Sequence, residues 1–108
     1  DIDLIVLFDT EVIRYVGRRD AQDCFIRMTR DLVKLLQERT ADGYVFRVDL
    51  QLRPDPGATP VAISVDAAEI YYQSVGLNWE RAAMIKARAV GGDLEAGRGF
   101  LERIKGFV

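Results

Sequence analysis

Apolar and polar positions change their period several times along the chain, and each change predicts an element. Ile2, Leu4, Ile5, Val6, Leu7 and Phe8 form an almost unbroken apolar run, the pattern of a strand buried on both faces. Asp9 to Asp20 is polar, interrupted by Gly17, and reads as a connector. From Ala21 to Arg39 the period becomes helical, with Phe25, Met28, Leu32, Leu35 and Leu36 on one stripe and Cys24 beside them. The outer positions of this helix are Arg27, Arg30, Asp31, Lys34 and Glu38, a solvated charged face.

Asp42-Gly43 signals a turn, and strict alternation then predicts a long strand from Tyr44 to Arg53. Tyr44, Phe46, Val48, Leu50 and Leu52 make its apolar face, expected to lie on the Phe25–Met28–Leu32 stripe. Val45, Arg47, Asp49, Gln51 and Arg53 make the other face. Pro54-Asp55-Pro56-Gly57 ends the strand, because proline has no N–H for a ladder. A short edge strand is expected over 60–64, then a helix over 65–75 with Ser64 as its N-cap and Gly76 as its stop. Further helices are predicted over 79–87 and 94–107, separated by Gly91-Gly92-Asp93. No Walker lysine follows Gly91-Gly92, so these glycines read as a helix stop and not as a phosphate loop. Trp79 and the Tyr71-Tyr72 pair read as packing residues. The order does not alternate regularly between strand and helix, so the expected class is α+β, with a small mixed sheet and packed helices.

Composition narrows the chemistry. The 108 residues suffice for a single domain with a core of its own, 1–108. A net charge of −2 leaves no electrostatic footprint for nucleic acid. No apolar stretch reaches membrane-spanning length and no signal peptide is visible, so no membrane association is expected. One cysteine, expected in the core, and no histidine exclude the usual zinc sites and the Ser-His and Cys-His nucleophile pairs. Catalysis must then run on carboxylates, metal and positive charge.

Asp1 and Asp3 sit two apart on the first strand and so share a face. Carboxylates that close repel unless a cation lies between them, and paired hard oxygens suit Mg2+. Asp49 supplies a third acid from another strand, flanked by Arg47, Gln51 and Arg53. Three acids for metal and basic groups for phosphate oxygens outline a phosphoryl- or nucleotidyl-transfer site. The competing reading is structural, with Asp49 as one half of an ion pair with a neighbouring arginine.

Three stretches together resemble a known family. They are Asp1-Ile-Asp-Leu-Ile, then 42–54 (Asp-Gly-Tyr-Val-Phe-Arg-Val-Asp-Leu-Gln-Leu-Arg-Pro), then 78–88 (Asn-Trp-Glu-Arg-Ala-Ala-Met-Ile-Lys-Ala-Arg) with Gly92-Asp93. In order and spacing they are similar to bacterial glutamine synthetase adenylyltransferases. The resemblance implies a cytoplasmic, bifunctional enzyme with two nucleotidyltransferase domains of the DNA polymerase β type. One removes AMP from a tyrosine of glutamine synthetase by phosphorolysis to ADP, and the other attaches it from ATP.

The wording of 79–88 resembles the N-terminal, removing half. The transferring half is the alternative, and a non-catalytic module that kept the fold is a third. The resemblance further implies that Asp1, Asp3 and Asp49 hold Mg2+. Arg53, with Arg47, Lys86 and Arg88, would bind phosphate oxygens, and Arg53 is favoured for sharing a strand face with Asp49. Adenylylated glutamine synthetase is the implied partner, together with a PII-type signal protein. The family's Gly-Ser loop would precede Asp1, so the chain is expected to be a fragment of a longer one. Gln51 stands where many relatives are expected to carry a basic residue.

Overall fold

The computed structural model describes residues 2–9, 21–43, 46–55 and 57–107. The connector expected over 9–20 therefore lies almost entirely outside the described residues, as do Asp1, Tyr44 and Val45. The class is α+β, as the pattern predicts. Two compact units follow one another along the chain, 1–64 and 65–108.

In the first unit the apolar run from Ile2 to Phe8 is two strands and not one. β1 (Ile2–Asp3) pairs in parallel with β3 (Val48–Asp49), and β2 (Val6–Phe8) pairs in parallel with β4 (Ala62–Ser64). Leu4 N–H donates to the Asp49 carbonyl at 2.9 Å, and the chain then leaves that partner for the next. An unbroken apolar run carries no mark of where a strand changes neighbour.

β3 is much shorter than the alternation over 44–53 predicts. Asp49 itself ends it. Its Oδ1 accepts the Gln51 N–H at 2.8 Å, a side-chain bond that closes a turn in place of the next rung of the ladder. On the other edge of β3, Val48 N–H donates to the Gln37 Oε1 at 3.0 Å, and just ahead of it Phe46 N–H donates to the Leu36 carbonyl at 2.7 Å. The last turn of α1 (Ala21–Gln37) thus completes the backbone bonding of this short edge.

α1 packs against β4 and β3. At about 100° per residue it has three sides. Phe25, Ile26, Thr29, Val33 and Leu36 form the covered side, where Phe25 stacks on Phe8 with centroids 4.7 Å apart. Buried Thr29 satisfies its hydroxyl by donating to the Phe25 carbonyl at 2.8 Å. Arg27, Arg30, Lys34 and Glu38 lie on or beside the charged side. The third side holds Cys24, Met28, Leu32 and Leu35, all exposed, Leu35 at 76%.

Two packing expectations are corrected here. The single stripe of Met28, Leu32 and Leu35 with Phe25 and Leu36 is split between two sides, and Cys24 is exposed. Phe46 is half exposed, and Val48 and Leu50 are only partly covered. The helix is apolar over a wider arc than the two-residue β3 and the three-residue β4 can cover. The core of this unit is instead Phe8, Ala62 and Ile63, so β4, expected at an edge, is the most deeply buried strand.

The second unit is helical. α2 (Val65–Ser74) starts directly after Ser64, α3 spans Asn78–Met84, and α4 spans Leu94–Ile104 with a 3₁₀ turn to Phe107. Asp93 caps α4, its Oδ1 accepting the Ala96 N–H at 3.0 Å. Ala68 and Tyr72 of α2 meet Phe100 and Ile104 of α4, with Met84 also buried. Gly97 is required where the chain returns past Ala89: a Cβ there would lie 2.8 Å from the Ala89 Cβ.

Two substitutions separate the covered from the open side of α1. Phe8→Ala is expected to cost about 3–5 kcal/mol in urea unfolding, through its cavity and the lost Phe25 stack. Leu35→Ala should stay within about 0.5 kcal/mol of wild type.

Candidate active site

The parallel register sets Asp3 directly beside Asp49. Neighbouring strands lie about 4.8 Å apart, and register partners project to the same side of the sheet. Both residues are exposed. Asp3 has no hydrogen-bond or ion-pair partner among the described residues. Asp49 has one oxygen committed to the Gln51 N–H, and the other takes no hydrogen bond among the described residues. Two like charges opposite one another destabilise a ladder, and these two have no cation from the described residues between them.

Asp1 lies outside the described residues. Among the described residues no group of three or more His, Cys, Asp or Glu side chains is close enough to hold a metal. The donor set that is seen, two side-by-side carboxylates open to solvent, fits a hard divalent cation that keeps much of its own hydration.

The basic residues fall in different places. Arg47 immediately precedes β3, its carbonyl accepts the Ile2 N–H at 2.9 Å, and its side chain is exposed. Arg53 is buried. Its Nη1 donates to the Leu50 carbonyl at 2.6 Å, while Nε and Nη2 share the Thr59 carbonyl at 3.4 and 3.3 Å. The expectation that Arg53 extends the strand face of Asp49 is therefore corrected, since β3 ends four residues earlier. The guanidinium instead braces the 50–59 turn beneath the end of that strand, as a five-donor fork can and an ammonium cannot. Lys86 and Arg88 are exposed in the second unit, just after α3.

Sequence reasoning passed over Glu80. It is 2% exposed, and its Oε1 accepts both the Tyr71 hydroxyl at 2.7 Å and the Leu77 N–H at 3.0 Å. One carboxylate thus starts α3 and ties it to α2. Its spacing was the available signal, three residues after Leu77 at a helix start. Glu80 Oε2 and the neighbouring Arg81 Nε are buried without a hydrogen bond among the described residues. Beside them the Tyr72 phenol is pushed up to about 12, first by burial and then by the charge of Glu80 and by Tyr71.

A family model described as glutamate-ammonia ligase adenylyltransferase matches residues 1–103. The chain belongs to that family. It is 58% identical over all 108 residues to the bifunctional glutamine synthetase adenylyltransferase/adenylyl-removing enzyme of Rhizobium meliloti (strain 1021). It is also 58% identical to the enzyme of that name from Mesorhizobium japonicum and 57% identical to that of Xanthobacter autotrophicus. In each case the whole chain is matched, and it spans 11% of the relative's length. Among the described residues no helix is long and apolar enough to cross a membrane.

The two buried polar devices give separate expectations. Arg53→Ala should destabilise by about 1–3 kcal/mol, because the Leu50 and Thr59 carbonyls lose their donor, and Arg53→Lys should not restore the loss. The raised Tyr72 pKa stabilises the fold fully below pH 10, the ordinary phenol value. Above it the unfolded chain ionises first, so stability falls until the folded phenol titrates near 12. Ultraviolet titration of wild type against Tyr72→Phe should show that the phenol lost in the variant titrates near 12.

Proposed function

We propose that this chain carries the acidic centre of a nucleotidyl-transfer site that removes AMP from an adenylylated tyrosine of glutamine synthetase by phosphorolysis. The observation that carries the proposal is the Asp3–Asp49 register. Two solvent-facing carboxylates meet on adjacent strands of a chain whose relatives are named for both adding and removing the adenylyl group. The resemblance of 79–88 to the removing half favours that direction.

In this reading a phosphate oxygen attacks the α-phosphorus and the bond from phosphorus to the tyrosyl oxygen breaks. The tyrosyl oxygen takes a proton, and ADP and free tyrosine result. Asp3 and Asp49, joined by Asp1, would hold Mg2+, which supplies positive charge against the transferring phosphoryl group. Arg47 is the exposed cation nearest β3 in sequence and would meet phosphate oxygens, with Lys86 and Arg88 as further candidates. Arg53 acts one step removed: by bracing 50–59 it holds the turn in which the Asp49 carboxylate is fixed. The modified glutamine synthetase subunit is then the substrate, and a PII-type signal protein a regulator of the cytoplasmic enzyme.

Asp49→Asn separates chemistry from structure. Asparagine keeps an Oδ1 for the Gln51 N–H and loses the charge, so the turn should persist while metal is lost. In the full-length enzyme, ADP release from adenylylated glutamine synthetase with phosphate and Mg2+ should fall about a thousandfold or more. Its unfolding midpoint should stay near wild type and lose its rise with added Mg2+. Turnover within a few-fold of wild type would remove Asp49 from the site. Pyrophosphate from ATP and unmodified substrate, without ADP release from the modified form, would assign the chain to the transferring half.

A further inference from the structure

β3 is held along both edges, by two different kinds of partner. On one edge the Arg47 and Asp49 carbonyls accept the Ile2 and Leu4 N–H groups, each at 2.9 Å. Alternate residues of the strand turn their backbone groups the other way. Among the described residues no third strand meets that second edge. Its donors are the Phe46 N–H, bonded to the Leu36 carbonyl at 2.7 Å, and the Val48 N–H, bonded to the Gln37 Oε1 at 3.0 Å.

The backbone of a helix end can serve such an edge once, but not twice. The last carbonyls of α1 have no partner within the helix, and Leu36 lends one of them. The next donor on the strand lies two residues away, about 6.6 Å further on. The next helix carbonyl advances only about 1.5 Å along the axis. The Gln37 side chain covers the difference, and presents an amide carbonyl where a neighbouring strand would present a backbone one. Asparagine would be a methylene too short, and lysine and arginine carry no acceptor.

This bond is made one residue before Asp49, on a strand only two residues long. The register of that strand with β1 is what sets Asp49 beside Asp3. Like charges directly opposite one another destabilise a ladder. A strand this short therefore needs its second edge held as well as its first. Released there, β3 spends part of its time out of register, and a cation binds only the fraction still aligned. Apparent affinity falls by that fraction.

We propose that Gln37 is a positioning residue for the acidic centre: its side-chain carbonyl keeps β3 in register, so that Asp3 and Asp49 stand preassembled for a divalent cation. The inference rests on the reading that these two acids hold Mg2+, and it makes the end of α1 part of the site.

The test is binding of Mn2+, in place of Mg2+, to the full-length enzyme, read from the electron paramagnetic resonance of the free ion. The binding component that Asp49→Asn removes is the one compared. Gln37→Met keeps the length and loses the strong acceptor. It should weaken that component about fivefold, equivalent to about 1 kcal/mol, the worth of one hydrogen bond. Gln37→Glu keeps the oxygen and should bind at least as tightly as wild type. A glutamine that only stabilised the fold would lower the unfolding midpoint without metal and leave the affinity of the folded protein unchanged. Equal affinity in wild type and Gln37→Met would thus overturn the role of Gln37 and leave the acids as the site. So would a Gln37→Glu protein as weak as Gln37→Met. Absence of any component sensitive to Asp49→Asn would overturn the acidic centre, and this inference with it. Should Gln37→Met fail to fold by far-ultraviolet circular dichroism, Gln37→Ala is read in its place, with the same expected loss.

Discussion

Two carboxylates placed side by side by a parallel register dominate the first unit. Asp3 and Asp49 are there because β1 and β3 pair Ile2 with Val48 and Asp3 with Asp49. A slip of one residue would turn one acid to the opposite face and dissolve the pair. Several features of the surrounding chain serve to hold that register. Leu36 and Gln37, at the end of α1, bind the backbone at Phe46 and Val48. The Asp49 side chain stops the strand by taking the Gln51 N–H, and Arg53 clamps the turn that follows. Electrostatic repulsion is thus built into a stretch whose backbone bonding is well supplied, the condition under which local strain persists at functional sites.

In the proposed site Asp49 would be both structural and chemical. Its carboxylate has two oxygens. One closes an Asx turn, which fixes the side-chain rotamer, and the other takes no hydrogen bond among the described residues. A ligand whose orientation is already set loses less conformational freedom on binding a cation than one free to rotate. The same bond explains the shortness of β3, since a backbone N–H donated to Asp49 is withdrawn from the ladder.

Polarity in the second unit is organised from the inside. Glu80, Tyr71 and Tyr72 place a carboxylate and two phenols among Met84, Phe100 and Ile104. Such a cluster is favourable only when its hydrogen bonds are made, and Oε1 makes two while Oε2 makes none among the described residues. The cost of turning Glu80 outward fixes which face of α3 is left to solvent. The surface ion pair of Arg103 with Glu69 at 3.1 Å adds little by comparison, because both groups remain partly hydrated.

Much of this was legible in the chain itself. The helical period from Ala21 to Arg39, observed to Gln37, the Asp42-Gly43 turn, Ser64 before a helix and the Gly91-Gly92-Asp93 break before the last helix follow from local bonding, which nearby residues determine. The acids were legible too, since few other groups in a chain without histidine can do chemistry, and two of them, Asp3 and Asp49, meet in the fold. Tertiary structure decided the rest. Alternation over 44–53 describes which side chains match, and does not show that an Asp will take a backbone N–H and end the strand. An apolar run does not say where it changes partner. An apolar helix face does not say how much neighbouring surface exists to cover it, which is why Met28, Leu35 and Trp79 stand exposed. Arg53, expected on the strand face of Asp49, lies in the turn beyond that strand because three of its donor nitrogens found backbone carbonyls within reach, a matter of distance in space that spacing along the chain does not carry.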